Sequence, residues 1–282
     1  MNHDIINIKG ELYSLATPKV MAIVNITPDS FYSGSRKQTE KEIAESLERA
    51  MADGADMVDL GAYSSRPGAA DVSSEEEMER LARALRIINR NYPDLIVSID
   101  TFRADVARKC VEDYGAAIIN DISGGQLDGN MFDTVANLNV PYILMHMRGN
   151  PKTMQQLTHY DAFVKEVFLY FAEKVQQLRD LGVKDIILDP GFGFGKTLEQ
   201  NYELMQRMGE FRMFELPVLV GISRKSMIYK LFGTTPQESL NGTTVLDTFA
   251  LTQGTNILRV HDVQAAVEAV KIVEKIRCPY GK

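Results

Sequence analysis

Cationic residues are the minority in this sequence: 31 Lys and Arg face 38 Asp and Glu along 282 residues, for a net charge of −7 and a pI near 5.3. A surface of that sign repels polyanions, so no nucleic-acid partner is expected. Cysteine is scarcer still. Cys110 and Cys278 are too few for a disulfide framework, and neither sits in a CxxC pair or beside a Cys or His at zinc-ligand spacing. Both read as plain thiols. Also missing is any run of about 18 apolar residues, and the opening Met1 to Gly10 has no basic stretch followed by a long apolar one. Neither export nor a membrane span is expected, and the cytoplasm is the default compartment. No Pro/Ser-rich linker or low-complexity segment interrupts the chain. What is present, 45% hydrophobic and 24% charged residues with a mean hydropathy of −0.15, is the composition of an ordinary folded protein. Because α/β barrels of about 250 residues fold as one unit, residues 1–282 are expected to form a single domain.

Eight short apolar runs recur: Val20 to Val24, Met57 to Leu60, Ile96 to Ile99, Ala117 to Ile119, Tyr142 to Met145, Ile186 to Leu188, Val218 to Ile222 and Ile257 to Val260. They are rich in β-branched residues and mostly lack polar alternation, the pattern of strands covered on both faces of a parallel sheet. Helical stripes lie between them. Ile43, Leu47, Ala50 and Met51 form one, and Met78, Leu81, Ala82, Leu85 and Ile88 follow the acidic turn Glu75, Glu76, Glu77. Phe163, Val167, Tyr170, Phe171, Val175 and Leu178 form another, ended by Gly182, and Val263, Ala266, Val267, Val270 and Val273 a last one. Strands alternating with helices, with no linker to divide them, predict an α/β fold, a single (β/α)8 TIM barrel rather than an open doubly wound sheet. Polar gaps at 26–38, 61–74 and 146–160 each follow a predicted strand. They belong on the carboxyl-terminal face, where this architecture carries its chemistry, with the long loops after strands 1 and 2 prominent among them.

The strand ends are polar: Asn25, the Gly61 to Gly68 loop, Asp100, Asn120 with Asp121, His146, Asp189, Ser223-Arg224-Lys225, and Arg259 with His261. Any one of them fits a simple capping role. Together on one rim they would converge on one pocket. Arg66, Lys225, Arg259 and His261, with the hydroxyls of Ser65 and Ser223, suit a phosphate or pyrophosphate group, while the plain reading of each cation is an ion pair with a neighbouring Asp. Asp100, Asn120 and Asp189 suit the donor-rich edge of a planar heterocycle, and residue type alone fits acid–base work or metal coordination equally well. The stretch from Asp189 to Thr197 ends in Gly-Lys-Thr but is no phosphate loop, since Pro stands at 190 where Gly is needed. Its glycines instead suit a tight loop that brings Phe194 close to a ligand. His146 reads as a satisfied rim or core histidine. Met145, ending the fifth strand, is placed to pack on a flat ligand; the other methionines need no cofactor.

Seven segments, in order, closely resemble the motifs of the dihydropteroate synthase family over about residues 20–275: Asn25-Ile-Thr-Pro-Asp-Ser-Phe31, Ser64-Ser-Arg-Pro-Gly68, Ser98-Ile-Asp-Thr101, Ile119-Asn-Asp-Ile122, Leu188-Asp-Pro-Gly-Phe-Gly-Phe-Gly-Lys196, Gly221-Ile-Ser-Arg-Lys-Ser226 and Arg259-Val-His-Asp-Val263. The resemblance implies a barrel enzyme of folate synthesis. It would join 6-hydroxymethyl-7,8-dihydropterin pyrophosphate to p-aminobenzoate and release pyrophosphate, with Mg2+ as cofactor and as a homodimer. Carried over by position, Asp100, Asn120, Asp189 and Lys225 would hold the pterin, with Met145 and Phe194 along its faces. Asn25, Ser65, Arg66, Arg259 and His261 would meet the pyrophosphate, Mg2+ bridging it to Asn25. Phe194, Ser223, Arg224 and Lys225 would border the aminobenzoate.

Two loops depart from the family pattern. Phe31-Tyr32-Ser33-Gly34 stands where Ser-Asp-Gly is common, so a carboxylate is missing at Ser33 while Asp29 stays available. Gly61-Ala-Tyr-Ser-Ser-Arg stands where Gly-Glu-Ser-Thr-Arg is usual, and Tyr63 replaces an acid. Loss of pyrophosphate leaves a cationic carbon that an electron-rich pterin can delocalise, which favours an SN1-like path over direct displacement. The competing readings are a Schiff-base aldolase using Lys225, a pterin-dependent methyltransferase barrel with a cobalamin partner, and a noncatalytic pterin-binding module.

Overall fold

The computed structural model describes residues 4–26, 36–63 and 72–279, with 36–39 described in their backbone alone. The chain opens on a hairpin, β1 (Ile5–Ile8) and β2 (Glu11–Ser14), whose two-residue turn, Lys9-Gly10, has both φ angles positive at 53° and 91°. Strands and helices then alternate: β3 (Lys19–Asn25), α1 (Arg36–Ala52), β4 (Met57–Gly61), α2 (Ser74–Asn91), β5 (Ile96–Asp100), α3 (Ala104–Tyr114), β6 (Ile118–Asp121), α4 (Met131–Leu138), β7 (Tyr142–Met145), α5 (Phe163–Asp180), β8 (Ile186–Asp189), α6 (Leu198–Gln206), β9 (Leu219–Val220), α7 (Ser226–Phe232), α8 (Leu240–Thr252), β10 (Ile257–Val260) and α9 (Val263–Arg277). The eight parallel strands run in the order β8-β7-β6-β5-β4-β3-β10-β9, and a bridge from Leu188 to Val218 joins the two ends into the expected barrel. The seventh predicted run forms a strand of two residues only, with Val218 adding the single bridge to Leu188. Beyond it the backbone bends so that Lys225 N donates to Ile222 O at 3.0 Å.

Local signals start the helices where they are needed. Ser73 caps α2 by accepting from Glu76 N, and Thr197 with Gln200 forms a capping box on α6, fixing Lys196 immediately before that helix. Along the strands, alternate residues face helices and barrel interior. Val20, Ala22, Val24, Val58, Leu60, Val97 and Ile99 pack outward into the main core. Met21, Met57, Ile118, Ile143, Ile187, Leu219 and Ile257 fill the amino-terminal end of the interior, with Ile6, Ile8 and Leu15 of the hairpin segment packed on them. Each such buried aliphatic side chain contributes roughly 1.5–3 kcal/mol. This seal leaves the interior with polar residues at its carboxyl-terminal mouth. Among the described residues no helix is long and apolar enough to cross a membrane.

Candidate active site

Strand parity decides what lines the mouth. In β4, Asp59 shares the inward face with Met57 and Gly61 and is fully buried. An ionised carboxylate in that position needs partners. Its Oδ2 accepts from Arg259 Nε at 2.6 Å and from Asn120 Nδ2 at 2.9 Å. The same guanidinium reaches Asp100, with Nη2 2.7 Å from Oδ2. Burial drives the Asp100 carboxyl upward, Arg259 opposes the rise and Asp59 adds to it. Burial alone would loosen the Arg259 proton, but Asp59 and Asp100 outweigh it and hold that proton firmly. The expected split into an acidic and a cationic side is therefore not kept at Arg259, which lies among the carboxylates and makes their burial tolerable. With its amide nitrogen committed to Asp59, Asn120 keeps Oδ1 buried without a partner, as do Asp59 Oδ1 and Ser98 Oγ. Such unpaired groups cost about 1–3 kcal/mol each and call for ligand donors.

The opposite wall comes from β8 and its loop. Asp189 Oδ1 accepts from Gly191 N at 2.8 Å; burial raises its carboxyl, countered first by Lys225 and then by that bond. The chain turns through Gly191, Gly193 and Gly195, with φ of 68°, 83° and 60°. At the first, a Cβ would stand 2.0 Å from His146 O, so only glycine fits. Phe194 packs with Phe102 on the small apolar cluster of Ile122, Met145, Met147 and Met154. Lys225 Nζ lies 4.6 Å from the centre of the Phe194 ring and donates to Phe192 O at 2.7 Å. Burial pushes this ammonium down to about 8, against the attraction of Asp189. Phe194 thus packs on the apolar cluster that includes Met145 and also faces the Lys225 ammonium.

The remaining expected residues are placed unevenly. Buried Ser223 accepts from His261 N at 3.1 Å and lies 3.1 Å from His261 Nδ1. Arg224, held at φ 57°, gives its guanidinium to Asp262 in two bonds of 2.8 and 2.6 Å. Its Nε and Nη2 are thereby committed to that neighbouring carboxylate. Asn25 Oδ1 and Asp100 Oδ2 would lie 3.4 and 3.7 Å from a Cβ on Gly61, so both converge on that point of the rim. A hard amide oxygen there fits Mg2+, which keeps most of its shell as water and substrate phosphate and takes one or two protein ligands. Among the described residues no group of three or more His, Cys, Asp or Glu could hold a metal by itself. Ser65 and Arg66, like Asp29 and Ser33, lie outside the described residues. Tyr63 meets Phe102 edge-on at 5.1 Å, with the Arg103 guanidinium 5.5 Å from its ring.

Two central residues are not singled out by the strand-end reading. Asp59 hides inside an apolar run, betrayed only by its parity with Met57. Lys196, discounted as a phosphate-loop lysine, is 4% exposed and reaches back into the protein. Burial pushes its ammonium down to about 7. His146, with Nδ1 2.9 Å from Lys196 Nζ, is the satisfied core histidine expected; burial, then the charges of Lys196 and Arg148, keep it neutral.

The profile of the family described as pterin binding enzyme matches residues 21–261. Dihydropteroate synthase of Escherichia coli (strain K12) is 41% identical over 268 residues, covering 94% of each chain. A solved Yersinia pestis dihydropteroate synthase with a sulfonamide drug superposes with a TM-score of 0.88 at 38% identity, over 97% of this chain and 99% of that one. A Xanthomonas albilineans dihydropteroate synthase with 4-aminobenzoic acid gives 0.89 at 35% identity, over 98% and 99%. By sequence and by fold alike, the chain belongs to the dihydropteroate synthase family of pterin binding enzymes.

Proposed function

We propose that this barrel condenses 6-hydroxymethyl-7,8-dihydropterin pyrophosphate with p-aminobenzoate, giving 7,8-dihydropteroate and pyrophosphate. What carries the reading is the row of acceptors from Asp100, Asn120 Oδ1 and Asp189 beside the apolar wall of Met145 and Phe194. A flat ring with several N–H donors satisfies both features at once. Held by these carboxylates in a low-dielectric pocket, the ring gains electron density. Positive charge left on its methylene carbon can then spread into it as the C–O bond breaks, an SN1-like path. Arg259, Lys225 and His261, with Ser65 and Arg66, receive the leaving pyrophosphate. Asn25 would hold Mg2+ through Oδ1, and the bound ion would supply positive charge for the leaving oxygens. The aniline nitrogen needs mainly positioning against Phe194, Ser223 and Lys225.

Incubating the protein with both substrates and Mg2+ and detecting dihydropteroate by mass tests this. Intact pterin binding without product would select the noncatalytic module instead. With anilines of graded nucleophilicity the chemical step is expected to keep one rate, and a strong dependence would reject the SN1-like path.

A cytoplasmic location and a second copy of the chain belong to the same proposal. Helix α8 mixes apolar and polar residues around its circumference, with Val245 and Phe249 59% and 40% exposed, and neighbouring α7 exposes Leu231 and Phe232. Large apolar side chains exposed together on adjacent helices mark a surface that a partner covers. Val245→Asp is expected to convert a dimer to a monomer in light scattering; a dimer that persists would remove this face from the interface.

A further inference from the structure

Five consecutive carbonyls in the loop after β8 are each bound by a side chain. Lys196 Nζ donates to Gly191 O at 2.8 Å and Phe194 O at 3.0 Å; Lys225 Nζ takes Phe192 O at 2.7 Å. Gln155 Nε2 takes Gly193 O at 3.1 Å, and the Tyr160 hydroxyl takes Gly195 O at 2.9 Å. Exposed loop carbonyls ordinarily bond water. Here the left-handed glycines, spaced two apart, curl the chain so that carbonyls 191 and 194 face one ammonium. That ammonium also lies 2.9 Å from His146 Nδ1 and 3.3 Å from His146 O, so its bonds all end inside the protein. Phe194 N in turn donates to Gly191 O at 3.1 Å. Both backbone handles of Phe194 therefore run through carbonyls that Lys196 holds, yet no step of the reaction derived above uses this lysine.

We propose that Lys196 is a positioning residue: its ammonium locks the Gly191–Gly195 loop so that Phe194 stands against Lys225 and walls the side of the pocket that takes aminobenzoate. The substrate named here rests on the functional reading above; the locking of the loop does not. A phosphate-loop lysine points at its ligand, whereas this one grips the backbone of its own loop.

Lys196→Met keeps the length and removes the donors, and Lys196→Gln restores two N–H bonds. By hydrogen–deuterium exchange, residues 190–197 should exchange about tenfold faster or more in Lys196→Met, with Lys196→Gln between it and the wild type, while β4 and β5 are unchanged. The KM for aminobenzoate should rise about tenfold in Lys196→Met and that for the pterin substrate clearly less, since the pterin shares the Phe194 wall but keeps Asp100 and Asn120, which the loop does not carry. Equal rises in both KM values, or unchanged loop exchange in a folded Lys196→Met protein, would overturn the proposal. If that variant does not fold, the ligand-free wild type decides: the Gly193 and Phe194 amides should exchange slowly, and exchange at the unprotected rate overturns it. A wild-type protein that makes no dihydropteroate would sink the functional reading instead, leaving the exchange measurement to judge the lock.

Discussion

Arg259→Met is expected to lower folding stability by about 3–5 kcal/mol and kcat/KM by about 10²–10³-fold. The methionine fills the space of the arginine stem but leaves Asp59 and Asp100 without their shared cation. Asp59 is the worse placed, fully buried and left with only the Asn120 amide. Adding Asp59→Asn should therefore return most of the lost stability in chemical denaturation, because the fully buried charge is then gone and only the partly exposed Asp100 stays unpaired. It should return none of the activity if, as proposed, the guanidinium receives the leaving pyrophosphate, because nothing replaces it. If activity came back with stability in the double variant, Arg259 would be a counter-ion alone and its catalytic role would fall.

The contrast between Asp59 and Asp100 shows what sequence reading can reach. Asp100, Asn120, Asp189 and Arg259 stand at or next to the ends of apolar runs, and in a parallel barrel all such ends share one rim whatever the packing detail. Asp59 lies two residues inside its strand, where the run looks continuous. Alternation of Met57, Asp59 and Gly61 was the available signal, since a charge on an inward position must be paired. The partner itself was out of reach: Arg259 lies 200 residues away, and no local pattern reports a contact at that separation. Arg224 with Asp262 is the same case at a separation of 38. Lys196 is hidden differently. Its spacing from the glycines is plain, but spacing does not say whether a lysine points out to a ligand or back to its own loop. The opening hairpin turns on Lys9-Gly10, a weaker signal than Asn-Gly, and its seal on the barrel floor is a tertiary fact.

Asp189→Asn should show the reverse of Arg259→Met: pterin binding weaker by about 10²–10³-fold, with a melting temperature equal to or above that of the wild type. Burial raises the Asp189 carboxyl above its ordinary range, so at neutral pH the ionised form works against the fold. The asparagine is neutral and can still accept from Gly191 N, the bond that Oδ1 makes at 2.8 Å. Its other atom becomes an NH2 group facing the ring's own donors, which is why binding collapses while folding does not. The sign can be checked against pH. A raised carboxyl takes up its proton as pH falls, the penalty disappears, and wild type and variant should converge in stability at acid pH and differ most at neutral pH and above. Calorimetric titration with the pterin substrate beside thermal melts across that range reads both effects. A variant that lost stability together with binding would make Asp189 a structural carboxylate. The case for a built pterin site would then rest on Asp100 and Asn120 alone.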